Sequence, residues 1–233
     1  APPDAAAKQK ARTDGGLLTG LGFRRLVIVD GTFVEELSDL VDLEPGLTVR
    51  SMAEALALDE PMLSQGLGAM VPADDSALAL NTALAGDGVL ITVSPGVSVG
   101  RPIHLVFINI AATPAAMVTR SLLVVGKGAR ATFIETHEGR GHADYQVNTA
   151  LQLVVGDEAQ VDHVKVMAES KGAIHIGTLL AHVGARAKLN QWGFTFGGAV
   201  VRNQLFVLLA GANTFANLHG LSLPADRPHA ASP

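Results

Sequence analysis

The sequence predicts a mainly β protein, a right-handed parallel β-helix (β-solenoid) with a small mixed α/β region before it. Three observations carry that expectation. Four segments repeat one local pattern: VGKGARATFIE (Val125 to Glu135), VGDEAQVDHVKV (Val155 to Val166), HVGARAKLNQW (His182 to Trp192) and LAGANTFANL (Leu209 to Leu218). Counted from the alanine after each glycine (Ala129, Ala159, Ala185 and Ala212), the spacings are 30, 26 and 27 residues. No helix-period stretch separates the units, and such a repeat completes its core only by stacking on its neighbours. The Gly-Ala corners need no chemistry of their own, since small residues suit crowded inner corners where coils stack.

The elements follow in order. Residues 1–22 are rich in Ala, Gly and Lys and read as a flexible lead-in. RRLVIVDG (Arg24 to Gly31) reads as a strand closing in an Asp-Gly turn. GTFVEELSDL is ambiguous, because Phe33, Val34, Leu37 and Leu40 fall at helical spacing in a short segment. LTVRS is a candidate strand. SMAEALALD starts as a helix, with Ser51 as cap and Glu54 three residues on, a capping-box pattern. DDSALALNTALAG reads as a second helix that begins at Asp74 and Asp75, sets Leu78, Leu80 and Leu84 partly on one side, and ends at Gly86. Residues 23–86 thus form the mixed N-terminal region.

From Asp87 the pattern is β throughout. Short strands are cut by Pro95-Gly96 and by Gly-Arg-Pro, and residues 87–229 are assigned to the solenoid core. A β-sandwich is the competing architecture. It would call for hairpin turns such as Asn-Gly, which are missing here.

Composition narrows function by exclusion. Apolar residues make up 48% of the 233, but aromatics only 4%, so the core is built from Val, Leu, Ile and Ala. A net charge of −5 argues against a broad nucleic-acid face. Zero cysteines exclude disulfides and thiolate metal sites within this chain. No run reaches the ~18 apolar residues of a membrane span. The N-terminus has no apolar signal core, and a reducing, cytoplasmic setting is the expectation. The chain begins without Met and stops at AASP, which reads as a fragment or processed form.

Candidate sites are few. The eight histidines are His104, His137, His142, His163, His175, His182, His219 and His229. None shows the His-x-x-x-His spacing of zinc enzymes, and the neighbours Asp162–His163 and His137–Glu138 point to opposite faces of a strand. They are expected on the outer face or rim of the coils, hydrogen-bonded locally, with no metal site. In QWGFTFGG, the residues Trp192, Phe194 and Phe196 share one face and are expected to form a core ladder, while Gln191 and Thr195 share the other. Arg202 and Asn203 are expected to anchor stacked coils, since a guanidinium can bridge carbonyls at coil edges. With His219 and His229 they are the candidate structural or interface positions. No nucleotide-binding loop, Ser–His–Asp set or glycosidase carboxylate pair is recognisable, so no catalytic residue is assigned.

The strings NTALAGDGVLITVSPGVSVGRPIHL (Asn81 to Leu105), SLLVVGKGARATFIETHEG and GGAVVRNQLFVLLAGANTFANLHGLSLP resemble the SufB/SufD family of the SUF iron–sulfur cluster assembly machinery, on its SufD side. The Asn-x-Ala-Leu-x-x-Asp-Gly string, the Pro-Gly-Val turn and the Pro-Ile-His-Leu strand come in the family's order, and the resemblance covers roughly residues 23–229. In that pattern, too, an Arg stands at the position of Arg202.

The resemblance implies a parallel β-helix between a mixed N-terminal region and a helical C-terminal domain. It also implies pairing with SufB, action with the SufC ATPase, and a cluster handled by the parent complex rather than a cofactor held by this chain. The C-terminal domain and the family's late Cys-x-His-Gly-type motif are absent from the sequence. The expected role is a non-enzymatic scaffold whose open solenoid edge pairs with SufB, or with a second copy of itself when isolated. The alternatives are a polysaccharide-lyase-type β-helix enzyme, which needs an outer groove of clustered charges and aromatics, and a self-polymerising β-helical filament.

Overall fold

Each β-prone unit supplies one strand to each of two parallel sheets, so that consecutive units stack as coils. The computed structural model describes residues 2–13, 16–60, 63, 67, 75–141, 144–223 and 229–231. One sheet orders its strands β13-β11-β9-β7-β5-β1-β2. These are β1 (Arg24–Val29), β2 (Thr32–Phe33), β5 (Ile103–Asn109), β7 (Arg130–Gly139), β9 (Gln160–Ala168), β11 (Lys188–Thr195) and β13 (Phe215–Ser222).

The other sheet runs β14-β12-β10-β8-β6-β4-β3. It holds β3 (Leu47–Ser51), β4 (Val89–Val93), β6 (Ala115–Val125), β8 (Tyr145–Val155), β10 (Ile174–Val183), β12 (Val200–Leu209) and β14 (His229–Ala231). Pairing between successive coils is parallel and in step, as in Phe133 opposite His163 and Gln191 opposite His163. The result is a β-solenoid of about four turns, as the repeat implied. Among the described residues antiparallel pairing is confined to the first coil, where β1 and β2 form a hairpin and β3 pairs with β4 across the intervening helices. The strands β2 and β3 cap the starting edge of the sheets, where open backbone groups would otherwise invite pairing.

The corners give the repeat its physical meaning, and they correct its register. Four turns share one geometry, with the third residue left-handed: Gly128 (φ 67°), Glu158 (φ 63°), Arg186 (φ 55°) and Asn213 (φ 57°). The next residue points inward, and it is Ala129, Ala159, Ala187 and Thr214 in turn. Ala129, Ala159 and Ala187 are fully buried, whereas Ala185 is half-buried and Ala212 exposed. The small inner residue of the last two corners is therefore not the one adjacent to the glycine. Spacing becomes 30, 28 and 27 residues.

The first glycine of each corner is required for a different reason. A Cβ on Gly156 would lie 2.8 Å from the Lys127 nitrogen and 2.9 Å from the Gly126 carbonyl carbon of the preceding coil. A ladder of backbone bonds, Gly96 to Lys127, Gly128 to Asp157, Glu158 to Ala185 and Arg186 to Ala212, then ties corner to corner.

The N-terminal region covers the outside of the first coils. The lead-in differs from expectation: Ala5–Thr13 is a helix (α1), and Ala11 is buried against Val27, Val29, Val34 and Val106 on the outer face of β1 and β5. Lys10 Nζ donates to the Arg140 carbonyl at 2.9 Å, and Lys8 pairs with Glu36 at 3.0 Å. GTFVEELSDL resolves as β2 followed by one 3-10 turn, Glu35–Leu37.

The helix α2 (Met52–Ala57) has the expected cap, Ser51 Oγ accepting from the Glu54 N–H. The helix α3 (Ser76–Leu84) is capped by Asp75, and Asp74 lies outside the described residues. Its buried face is Leu78 and Asn81, while Leu80 and Leu84 stay exposed. A polar staple decides that orientation. Asn81 Nδ2 reaches the Thr119 and Asn148 carbonyls at 3.0 Å each, and Asn148 Nδ2 returns to the Ala77 carbonyl at 2.9 Å.

Asp87 ties the same region together by accepting from the Phe33 N–H, the Ser51 hydroxyl and the Ala53 N–H. A Cβ on Gly88 would lie 1.9 Å from the Arg120 carbonyl oxygen. Asn81, Asp87 and Gly88 of the sequence string are thus fixed by geometry.

Candidate functional site

Strand alternation sets which side chains enter the lumen between the sheets. Near the Gly-Ala corners the inward positions are apolar, including Phe133, Val161 and Leu189 from one sheet against Leu153, Val155, Leu179 and Val183 from the other. Farther along the same strands, at the opposite end of each coil, the inward positions become polar. Glu135 and His137 follow Phe133 on β7, His163 and Lys165 follow Val161 on β9, and Gln191 follows Leu189 on β11. From the other sheet come His175 on β10 and Asn203 on β12, where Asn203 lies opposite Gly177, two residues beyond His175.

These groups form one connected network. Glu135 accepts from His163 Nε2 at 2.6 Å and from His137 Nε2 at 3.2 Å. His175 Nδ1 lies 2.8 Å from Glu169 Oε1, and the Tyr145 hydroxyl donates to Glu169 Oε2. Lys165 Nζ contacts His175 Nε2 at 3.3 Å. An ammonium can only donate, so Nε2 of a neutral His175 accepts and Nδ1 carries the proton to Glu169. His137 stacks on Phe107 with centroids 4.4 Å apart and meets His175 edge-on at 4.7 Å.

Burial opposes charge on Glu135, His137, Tyr145, Lys165, Glu169 and His175. At Glu135 it is overcome by the hydrogen bonds from His137 and His163 and by the Lys165 charge, which together hold the carboxyl well below the ordinary carboxylate range. Burial is likewise outweighed at Glu169, where the bond and charge of His175 lead in bringing it to about 2. Burial first, then the Lys165 charge, lowers His175 to about 4 and lowers His137. Burial also lowers Lys165 and raises the Tyr145 phenol. Two carboxylates thus face one ammonium beside the neutral imidazoles of His137 and His175.

A cavity of about 370 Å³ opens beside this network and runs toward the last coil, with Glu135, His163, Lys165, Gln191 and Asn203 on its wall. It is concave, internal and mixed in polarity, the general form of a small-ligand chamber. Its carboxylate lies inside the solenoid, not on the outer groove that a lyase would need.

Two of the sequence candidates, Asn203 and His219, border this cavity. Arg202 is exposed on the outer face of β12, with Nη2 3.8 Å from Asp75 Oδ2 at the α3 cap. Asn203 points the opposite way, into the cavity, and its Oδ1 has no partner. His219 is exposed on β13, its ring 6.0 Å from that of Trp192. His229 lies on β14, placed by backbone pairing opposite Val200. Asn203 and His219 thus meet at the cavity, while Arg202 lies apart on the outer face.

Two expectations are reversed. His137, His163 and His175 lie inside the lumen, not on the rim, while His104 is buried on an outer face and His142 lies outside the described residues. Gln191 and Thr195 are buried on β11 together with Leu189, and Trp192 and Phe194 lie half-buried on the outside. The cause is register: β11 pairs with β9 so that Gln191 continues the His163 position inward. Adjacent Asp–His and His–Glu pairs carried no signal. The informative spacing was Glu135-x-His137, which puts both side chains on one strand face, beside His163-x-Lys165 one coil later.

Fold and chamber together define a capped parallel β-solenoid with an ionic network in its lumen. Residues 18–105 match the SufBD protein N-terminal region, and residues 107–232 match the SufBD core domain of SUF system FeS cluster assembly. The chain belongs to the SufB/SufD family of the SUF iron–sulfur cluster assembly system. It is 26% identical over 212 residues to an iron–sulfur cluster assembly SufBD family protein of Synechocystis sp., covering 87% of this chain and 47% of that protein. It is 28% identical over 203 residues to the iron–sulfur cluster assembly protein SufD of Escherichia coli K12, covering 86% of this chain and 45% of that protein. The chain spans about half the length of these relatives. No helix among the described residues is long and apolar enough to cross a membrane.

Proposed function

We propose that the chain acts as a SufD-type scaffold subunit in iron–sulfur cluster assembly, without catalysis of its own, in the cytoplasm. It pairs with SufB, and the complex works with the SufC ATPase on a nascent cluster that is cargo, not a resident cofactor. The observation that carries this reading is the match to both the N-terminal and core regions of the family, in the order the solenoid requires.

The last coil supports it. The strand β13 exposes Phe215, Leu218 and Leu221, and Leu208 and Leu209 are exposed at the end of β12. Exposed apolar side chains gathered in this way are a feature of docking surfaces.

The test is a tagged full-length parent protein recovered from its own cells. Co-recovery of SufB and SufC is the expected result, and their absence overturns the assignment. The isolated chain is expected to self-associate through these exposed apolar side chains. A strict monomer by light scattering at high concentration would count against them as a docking surface.

A further inference from the structure

We propose that His137, Glu169 and His175 form a site for one divalent first-row transition-metal ion inside the solenoid lumen. One donor atom from each residue falls in a group whose members all lie within 4.8 Å of one another, and all three residues are buried.

A second observation points independently to a missing ligand. Glu135 can only accept, so it holds His137 as the Nε2–H tautomer and leaves the ring lone pair on Nδ1. That Nδ1 is buried and has no hydrogen-bond partner. An orphaned imidazole lone pair in a dry interior is costly. A carboxylate gripping the far nitrogen is the arrangement that orients histidines on metals.

Donor chemistry sets the ion class. Two imidazoles and a carboxylate, with no thiolate in the chain, suit Zn²⁺, Fe²⁺ or Co²⁺ over soft Cu⁺ or hard Ca²⁺. His175 Nδ1 and Glu169 Oε1, 2.8 Å apart, are already spaced as adjacent ligands for bonds of about 2.1 Å. Three protein ligands leave coordination positions open.

Loading requires one internal change. For Nδ1 of His175 to bind the ion, its proton moves to Nε2, which can then no longer accept from Lys165. The Lys165 ammonium turns away toward Glu135. It is therefore a competitor for the site, and removing it tightens binding. The inference does not depend on which partners the chain assembles with.

The experiment uses the whole chain, stripped with chelator and dialysed against Zn²⁺ or Co²⁺ alone. Bound metal is read by elemental analysis, and ligation by the Co²⁺ visible spectrum. The expected result is one equivalent of metal with a nitrogen-ligated Co²⁺ band. Glu169→Gln and His137→Gln lose that band. Glu135→Gln, acting through His137, weakens affinity by about 10-fold or more. His182→Ala leaves binding unchanged, and Lys165→Met binds more tightly than the parent. Circular dichroism reports whether each variant is folded. The proposal is overturned if the folded parent takes up no stoichiometric metal, if His182→Ala abolishes uptake, or if Lys165→Met weakens it. The last outcome would assign Lys165 to holding the network together with no competing role.

Discussion

The two ends of each coil are built from the same strands and solve opposite problems. At the Gly-Ala corner the inward side chains are Leu, Val and Ala, the backbones approach within contact distance, and nothing needs a partner. At the far end the inward side chains are Glu, His and Lys, and several keep an unmatched atom, including Nδ1 of His137 and of His163. The corner end specifies stacking. The far end carries the only buried polar network of this size among the described residues, at positions where aliphatic side chains would also have fitted the repeat. Stability comes from one end, and chemical capacity is concentrated at the other.

Glu135→Leu breaks the comparison hardest. It removes one of the two carboxylates facing the Lys165 ammonium and leaves two imidazole N–H groups without an acceptor, and the expected loss is about 4 kcal/mol in denaturant unfolding. At the corner end Leu153→Ala removes a fully buried side chain and is expected to cost about 3 kcal/mol by the same measurement. If the two losses were reversed in rank, the far end would be no more demanding than ordinary core.

Gly156→Ala forces a Cβ against backbone atoms of the neighbouring coil at 2.8 and 2.9 Å. Backbone cannot swing aside as a side chain can, so a loss of about 2 kcal/mol is expected. A neutral result would show that close approach is not what selects that glycine.

The smallest expected effect concerns His104, which is buried on the outer face and so separates burial from membership of the lumen network. Its Nε2 meets Thr136 Oγ1 at 2.9 Å, Phe23 lies against its edge, and Arg25 is its charged neighbour on β1. Burial, aided by the Arg25 charge, lowers its pKa from 6.5 to about 4. The unfolded state therefore takes up the proton first as pH falls. Stability contributed by neutral His104 is intact above about pH 6.5 and is lost progressively toward about pH 4. His104→Leu should make the acid-side slope of the denaturation midpoint shallower. An unchanged slope would place the titration wholly in the lumen.

Much of the corner end was legible in the sequence because its constraints are local. A glycine forced by backbone contact and a small inner residue recur at coil spacing, and only the choice of Ala185 and Ala212 over Ala187 and Thr214 was misread. Capping by Ser51 and a helix start at Asp74 and Asp75 were legible for the same reason, although the cap itself is Asp75. The far end was not, since its partners lie one coil apart. Glu135 and His163 meet across 28 residues, and Glu169 finds Tyr145 from 24 residues away. Inward and outward faces of β11 also depend on pairing with β9, so Trp192 and Phe194 looked like core. Helix α1 was hidden because its composition is that of a linker, and only the apolar wall of β1 and β5 gives it a place to fold.

A double-mutant cycle on Glu135 and Lys165 reads the coupling between the two lumen charges. If the far end is a charge-matched network, Glu135→Leu with Lys165→Met is expected to be more stable than Glu135→Leu alone, because the ammonium that lost one of its two carboxylates is gone. Strictly additive losses would contradict the account, showing that the two charges sit in the lumen without holding each other there.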